Sequence, residues 1–147
     1  LTNPACGPNV TNLLETYRNC SNITKAVCGP NVTNMAWAYI NCRNLTHAFC
    51  GAKVDNMQNS FSGCLNIQEA YIESKNVNNC YLSFSQKYTN KILNIYVPKG
   101  SNTLSKFLAT NNKASITGYA MTWTNDSANN RYYNLSYNIF IYPVDDV

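Results

Sequence analysis

Side-chain chemistry in this chain would have to start from His47, its one imidazole, and from seven carboxylates at Glu15, Asp55, Glu69, Glu73, Asp126, Asp145 and Asp146. Nucleophilic or acid–base catalysis needs a nucleophile, a base and an orienting group within hydrogen-bond reach of one another. No such set can be assembled around His47, so the expectation is a protein with no catalytic residue and no cofactor. Seven cysteines are the other reactive inventory. Zinc ligation favours C-x-x-C pairs or several histidines, and the chain has neither, so no metal site is expected. Six of the cysteines instead form two evenly spaced columns, Cys6/Cys28/Cys50 and Cys20/Cys42/Cys64. Thiols stacked with parallel side-chain directions are poorly placed for a disulfide, and they read as small buried hydrophobes.

The composition limits the elements that must position these groups. With 147 residues, 45% hydrophobic and 12% charged, the chain is long and apolar enough to fold, as one domain or two. The net charge of +4 comes from scattered Lys and Arg rather than a basic block, which argues against a nucleic-acid partner. No apolar run approaches the ~20 residues of a membrane-spanning helix, so no membrane insertion is expected. Asn is the outlier, with 25 copies, and that enrichment directs attention to repeats.

Three blocks align at a period of 22 residues: ACGPNVTNLLETYRNCSNITKA from Ala5, VCGPNVTNMAWAYINCRNLTHA from Val27, and FCGAKVDNMQNSFSGCLNIQEA from Phe49. A degenerate fourth begins at Tyr71. Residues Leu1 to Cys6 overlay Ile23 to Cys28, so the chain opens inside a repeat and further repeats are expected upstream.

Two periodicities occur within each repeat. Val32, Met35, Tyr39 and Cys42 fall at i, i+3, i+7 and i+10, as do Val10, Leu13, Tyr17, Cys20 and Val54, Met57, Phe61, Cys64, which predicts a helix. Val77, Cys80 and Phe84 continue the stripe until Lys87 breaks it. The second pattern, Ile23-x-x-Ala26-x-Cys28, recurs at Leu45, Ile67 and Ile92 and predicts a short strand with alternate residues inward. Each unit therefore reads as strand, Gly-Pro turn, helix and return loop. The expected fold class is α/β, a right-handed solenoid of strand-turn-helix rungs with a parallel sheet on one face. Asn12, Asn34, Asn56 and Asn79, and separately Asn22, Asn44 and Asn66, are expected to turn their amides inward and satisfy backbone groups at the corners.

The string N-V-T-N-M-x-x-A-Y-x-N-C-x-N-L-T-x-A-x-C-G, read from Asn31 to Gly51, resembles the BspA-like leucine-rich repeats of bacterial surface proteins and the related repeats of gut bacteria and their phages. The resemblance spans about residues 1–98 and implies a leucine-rich-repeat solenoid. Members of that family include adhesins, ligand-binding surface proteins and virion or prophage proteins. The implied location is extracellular, at the cell surface or in a virion, with the signal region absent from this chain.

The period fails from Lys91. A strand over Lys91–Val97 ends at Pro98-Lys99-Gly100, and Ser101 is placed to cap a helix over about Asn102–Thr110. Ser115–Thr124 and Tyr132–Tyr142 read as two antiparallel strands joined by a loop over Asn125–Arg131. The domains are then repeats over 1–98 and a strand-helix-hairpin cap over 99–147, which either covers the last rung or docks the array on a larger structure.

The strand pattern also defines an outward face. Alternation turns Val27, Phe49, Tyr71 and Tyr96 outward in one row and Lys25, His47, Glu69 and Asn94 in another. A contiguous aromatic row on an exposed sheet marks a contact surface. The expectation is a non-enzymatic binding or adhesion module for a protein or glycan ligand. Phe49, Tyr71 and Tyr96 would serve as anchors beside Val27, and Lys25, His47 and Glu69 as selectivity residues. The alternative is a structural component whose row is covered by neighbouring subunits of a virion or envelope assembly. Trp37 and Ile40 form a second, smaller patch. N-x-S/T sequons at Asn9, Asn19, Asn22, Asn31, Asn44, Asn125 and Asn134 mostly recur with the repeat, and Asn9 and Asn31 are the candidates for glycans.

Overall fold

The structure, a computed structural model, describes residues 6–86 and 89–147. The alternating segments form strands: β1 (Lys25–Val27), β2 (His47–Cys50), β3 (Glu69–Ile72) and β4 (Leu93–Pro98). They pair in parallel, one rung per strand, with Ala26 beside Ala48, Ala48 beside Ala70 and Ala70 beside Ile95. These inward residues are fully buried, as are Ile23, Leu45 and Ile67 just before each strand. In the fourth strand the inward set is Leu93, Ile95 and Val97, and Ile92, expected inside, is 54% exposed. Ile95 and Val97 keep the expected register, and the regular alternation of this longer strand puts Leu93 rather than Ile92 inside. The strand expected at the start of the chain and the break at Lys87 lie outside the described residues.

The helix of each rung is absent, and this overturns the α/β leucine-rich-repeat solenoid with strand-turn-helix rungs. Among the described residues the one α-helix is α1 (Asn102–Phe107), and the molecule is mostly sheet. Where helices were expected, the chain runs through consecutive tight turns with a left-handed residue every fourth position. The φ angles are 57° at Glu15 and 61° at Asn19, then 59° at Trp37 and 60° at Asn41, then 56° at Asn59 and 77° at Gly63. A right-handed helix cannot carry such residues.

Hydrogen bonding explains what replaces the helix. Met35, Trp37, Tyr39 and Asn41 donate their N–H groups to the carbonyls of Asn56, Gln58, Ser60 and Ser62 in the next rung, at 2.7–3.0 Å. In a helix the Tyr39 N–H would bond within its own segment. Intervening N–H groups close local turns, as from Ala38 to Met35 and from Cys42 to Tyr39, each at 3.1 Å. The inward spacing of three and four residues is common to a helix face and to a run of four-residue turns, which is why the sequence pattern misleads. Its core content is nevertheless correct: Val32, Met35, Tyr39, Cys42, Val54, Met57, Phe61 and Cys64 are all buried. Tyr17, Tyr39, Phe61 and Phe84 stack through that core at 5.1, 5.7 and 5.6 Å between ring centroids.

The segment after residue 98 also departs from expectation. The helix is shorter than Asn102–Thr110 but carries the expected cap, with the Ser101 side chain accepting from the Leu104 N–H at 3.1 Å. No strand spans Ser115–Thr124. Residues 115 and 116 instead lie along the last turn run, accepting from Leu82 and Phe84 at 3.0 and 2.9 Å. Three strands follow: β5 (Thr124–Asp126), β6 (Arg131–Asn134) and β7 (Ile139–Val144). The stretch read as one strand over Tyr132–Tyr142 is thus two, separated by a turn with Asn138 at φ 55°. β7 pairs in parallel with β4, so the final order is β1-β2-β3-β4-β7-β6-β5, and β6 and β5 add antiparallel. Ile139 and Ile141 continue the inward rows begun by Leu93 and Ile95.

Candidate binding face

The outward side of this sheet carries the two expected rows in register. Val27 stands beside Phe49, Phe49 beside Tyr71 and Tyr71 beside Tyr96, while Lys25, His47, Glu69 and Asn94 form the parallel row. The structure therefore brings together all seven residues expected at the site, Lys25, Val27, His47, Phe49, Glu69, Tyr71 and Tyr96. Val27 is 42% and Phe49 39% exposed, and Tyr71 and Tyr96 are half-buried.

The ring geometry is regular. Phe49 and Tyr71 stack at 5.0 Å and 6°, Tyr71 and Tyr96 at 4.9 Å and 9°, and Tyr96 and Tyr142 at 5.2 Å and 19°. These separations match the spacing of paired strands, ~4.8 Å, because each ring sits on the strand next to its neighbour's. The ring faces are turned toward one another, leaving edges and hydroxyls for an incoming molecule. Each stacked pair adds roughly 0.5–1.5 kcal/mol beyond its area burial, so the rings hold one another in place.

The sequence reading missed the far half of this face. Tyr142 is the fourth ring of the stack, and Phe140 continues the row of Lys25, His47, Glu69 and Asn94. Tyr133 packs beside Phe140 at 5.8 Å, and the Arg131 guanidinium lies 4.7 Å from the Phe140 centroid. The alternation Ile139-Phe140-Ile141-Tyr142 was a legible signal that Phe140 and Tyr142 share one face. Only the pairing of β7 with β4 puts that face beside Tyr96.

Burial and a neighbouring carboxylate hold Tyr71 and Tyr96 in the neutral form. Burial first, then the Glu69 carboxylate, push the Tyr96 hydroxyl up to about 12, and the same two causes raise Tyr71. Glu69 Oε2 is buried with no hydrogen-bond partner among the described residues. The His47 ring shares a 2.9 Å contact between Nδ1 and Thr46 Oγ1. At the other end, Arg131 Nε bonds Asp126 Oδ2 at 2.9 Å and Nη1 donates to the Tyr142 hydroxyl at 3.2 Å. Hydrogen bonds from Asn129 and then from Arg131 hold the Asp126 carboxyl below its ordinary value.

Other expected groups sit differently. Ile40 is buried and Trp37 half-buried, so the expected second apolar patch does not form. The Asn side chains bond backbone groups as expected, but none of Asn12, Asn22, Asn34, Asn44, Asn56, Asn66 and Asn79 is buried. Oδ1 of Asn12, Asn34, Asn56 and Asn79 accepts from the N–H two residues on, at 2.9–3.1 Å, which fixes the first turn of each run. Asn44 and Asn66 donate to the previous rung's Ser21 and Arg43 carbonyls, each at 2.7 Å. All seven cysteines are free thiols, and Cys42 and Cys64 donate to the Tyr17 and Tyr39 carbonyls of the preceding rung at 3.1 and 3.0 Å.

No family model, curated protein or solved structure matches this chain. Any reading of function therefore rests on the face itself. Among the described residues no group of three His, Cys, Asp or Glu side chains is arranged to hold a metal ion, and no helix is long and apolar enough to cross a membrane.

Proposed function

We propose that this chain is a non-enzymatic binding module whose outward sheet face docks a protein partner. The observation that carries this reading is the unbroken stack of Phe49, Tyr71, Tyr96 and Tyr142 across four adjacent strands. Sugar recognition by aromatic residues uses exposed ring faces, and here the faces within the stack are occupied by neighbouring rings. What remains outward is a ridge of apolar edges and neutral hydroxyls, which suits the mixed apolar and hydrogen-bonding surface of a protein. The partner meets Lys25 and His47 at one end, Glu69 in the middle and Arg131 at the other.

Size indicates the strength of the interaction. Seven strands at ~4.8 Å spacing make a face roughly 29 Å wide, and strands of three to six residues make it roughly 10–20 Å tall. That footprint, on the order of 400 Å², is about half of one partner's share in a stable complex, so the interaction is of the transient kind. Presentation on a bacterial cell surface or a virion is the setting we propose for it.

A photo-crosslinking residue in place of Phe49 tests the reading. Crosslinks are expected to converge on one protein, at one surface, and to disappear when Tyr71→Ser is added while the near-ultraviolet dichroism of the fold persists. Scattered crosslinks, or crosslinking untouched by Tyr71→Ser, would sink it.

A further inference from the structure

Beyond the ring stack, the loop between β5 and β6, the C-terminal end of β7 and Lys99 border an open cleft of about 530 Å³. This volume lies within the range of small-ligand sites, roughly 300–1,000 Å³. Its lining is polar on one side, with Asn125, Ser127 and Asn130, and half-apolar on the other, with Tyr142 and Pro143. Lys99 and Arg131 are its cations and Asp145 its carboxylate.

Arg131 is held on three sides. Nε is bonded to Asp126, Nη1 donates to the Tyr142 hydroxyl, and the guanidinium plane is packed on Phe140. Asp126 is itself committed, accepting from Arg131 Nε and from Asn129 Nδ2, both at 2.9 Å. Among the described residues Nη2 makes no hydrogen bond. A guanidinium fixed in this way keeps both Nη2 N–H donors for a ligand and loses little side-chain freedom when it binds.

We infer that this cleft binds a sugar acid. The carboxylate of such a ligand would pair with Arg131 Nη2 and the Lys99 ammonium, and its hydroxyls would bond the Asn125 and Asn130 amides and the Ser127 hydroxyl. The apolar side of its ring would lie along Tyr142 and Pro143. The pocket adjoins the far end of the proposed protein-docking ridge, sharing Arg131 and Tyr142 with it, and differs from it in its ligand and in Lys99.

D-glucuronate titrated into the full chain, followed by the amide resonances of Lys99 and residues 125–131, is the test. D-glucose supplies the ring without the carboxylate, and acetate the carboxylate without the ring. Saturable shifts with glucuronate, none with glucose and much weaker ones with acetate are expected. Removing one charge-assisted hydrogen bond, by Lys99→Gln or Arg131→Lys, should weaken glucuronate binding about tenfold or more. Lys99→Gln alters an exposed side chain and keeps the test decisive if Arg131→Lys disturbs the loop. Tyr71→Ser, which tests the ridge, should leave glucuronate binding unchanged. Absence of saturation, equal response to glucose or to acetate, or full affinity in Lys99→Gln would each overturn the assignment.

Discussion

Glu69 and Tyr96 show how one residue on the sheet sets the state of its neighbours. Tyr96 is half-buried, and burial and the Glu69 carboxylate together raise its hydroxyl to about 12 against an ordinary value of 10.0. A group whose folded value lies above its unfolded one lends stability that is complete below the unfolded value. That stability is lost as pH rises through the folded value, here between about 10 and about 12. Titration of phenolate absorbance should show a late-ionising tyrosine, and folding stability should fall over the same interval. Glu69→Gln should move that ionisation toward lower pH, and an unmoved titration would show that burial alone governs it. At this scale the sequence was readable for the outward residues, since alternation decides which side chains face away. For the Asn columns it was right that the amides satisfy backbone groups at the turns and wrong that they lie inside. Whether an amide turns inward or caps a turn depends on backbone angles that residue type does not reveal.

The turn run is the element that separates this fold from the one its pattern suggests. Its left-handed positions fall on Asn19, Asn41, Asn59 and Gly63, residues that tolerate them, but also on Glu15, Trp37 and Leu82, which do not favour them. Gly63 is the most constrained: at φ 77° an added Cβ would also collide with the Asn41 side chain of the neighbouring rung. Gly63→Ala should lower stability by about 1–3 kcal/mol in urea unfolding. Glu15→Gly, in an exposed position whose 3.5 Å pair with Arg18 contributes little, should raise it by up to about 1 kcal/mol. A helix over either segment would give the opposite order, because glycine weakens a helix interior. The four parallel strands β1 to β4 were legible because their two-residue alternation recurs with the repeat, whereas the non-repeating stretches over 115–124 and 132–142 were not divided correctly. The turns were not legible, because spacing of three and four residues fits two backbones.

For the whole molecule, the placement of β7 is decisive. It lies between β4 and β6, so residues on both sides of position 98 share one sheet and one inner row, Ala26, Ala48, Ala70, Ile95 and Ile141. Ile141 is fully buried at the end of that row. Ile141→Ala should cost about 2–5 kcal/mol. The loss should appear equally in the far-ultraviolet signal of the sheet and in the near-ultraviolet signal of the stacked rings, as one transition. Two separated transitions would mean that the repeats fold without β7, as weakly coupled stacked units do.

The sequence by itself determined the 22-residue repeat, the parallel strands it generates, most of the buried set and the first three rings of the outward row. Each of these follows from identical residues recurring at identical positions, which stacking must superpose. Tertiary structure alone decided that the rung's second segment bonds to the next rung instead of to itself, because the same inward spacing serves a helix and a chain of turns. It also decided that β7 joins β4, bringing Tyr142 and Phe140 to the face and Arg131 to the cleft at its end. That pairing links residues some forty-six positions apart, such as Tyr96 and Tyr142, and no local pattern encodes which exposed edge a distant strand will cover.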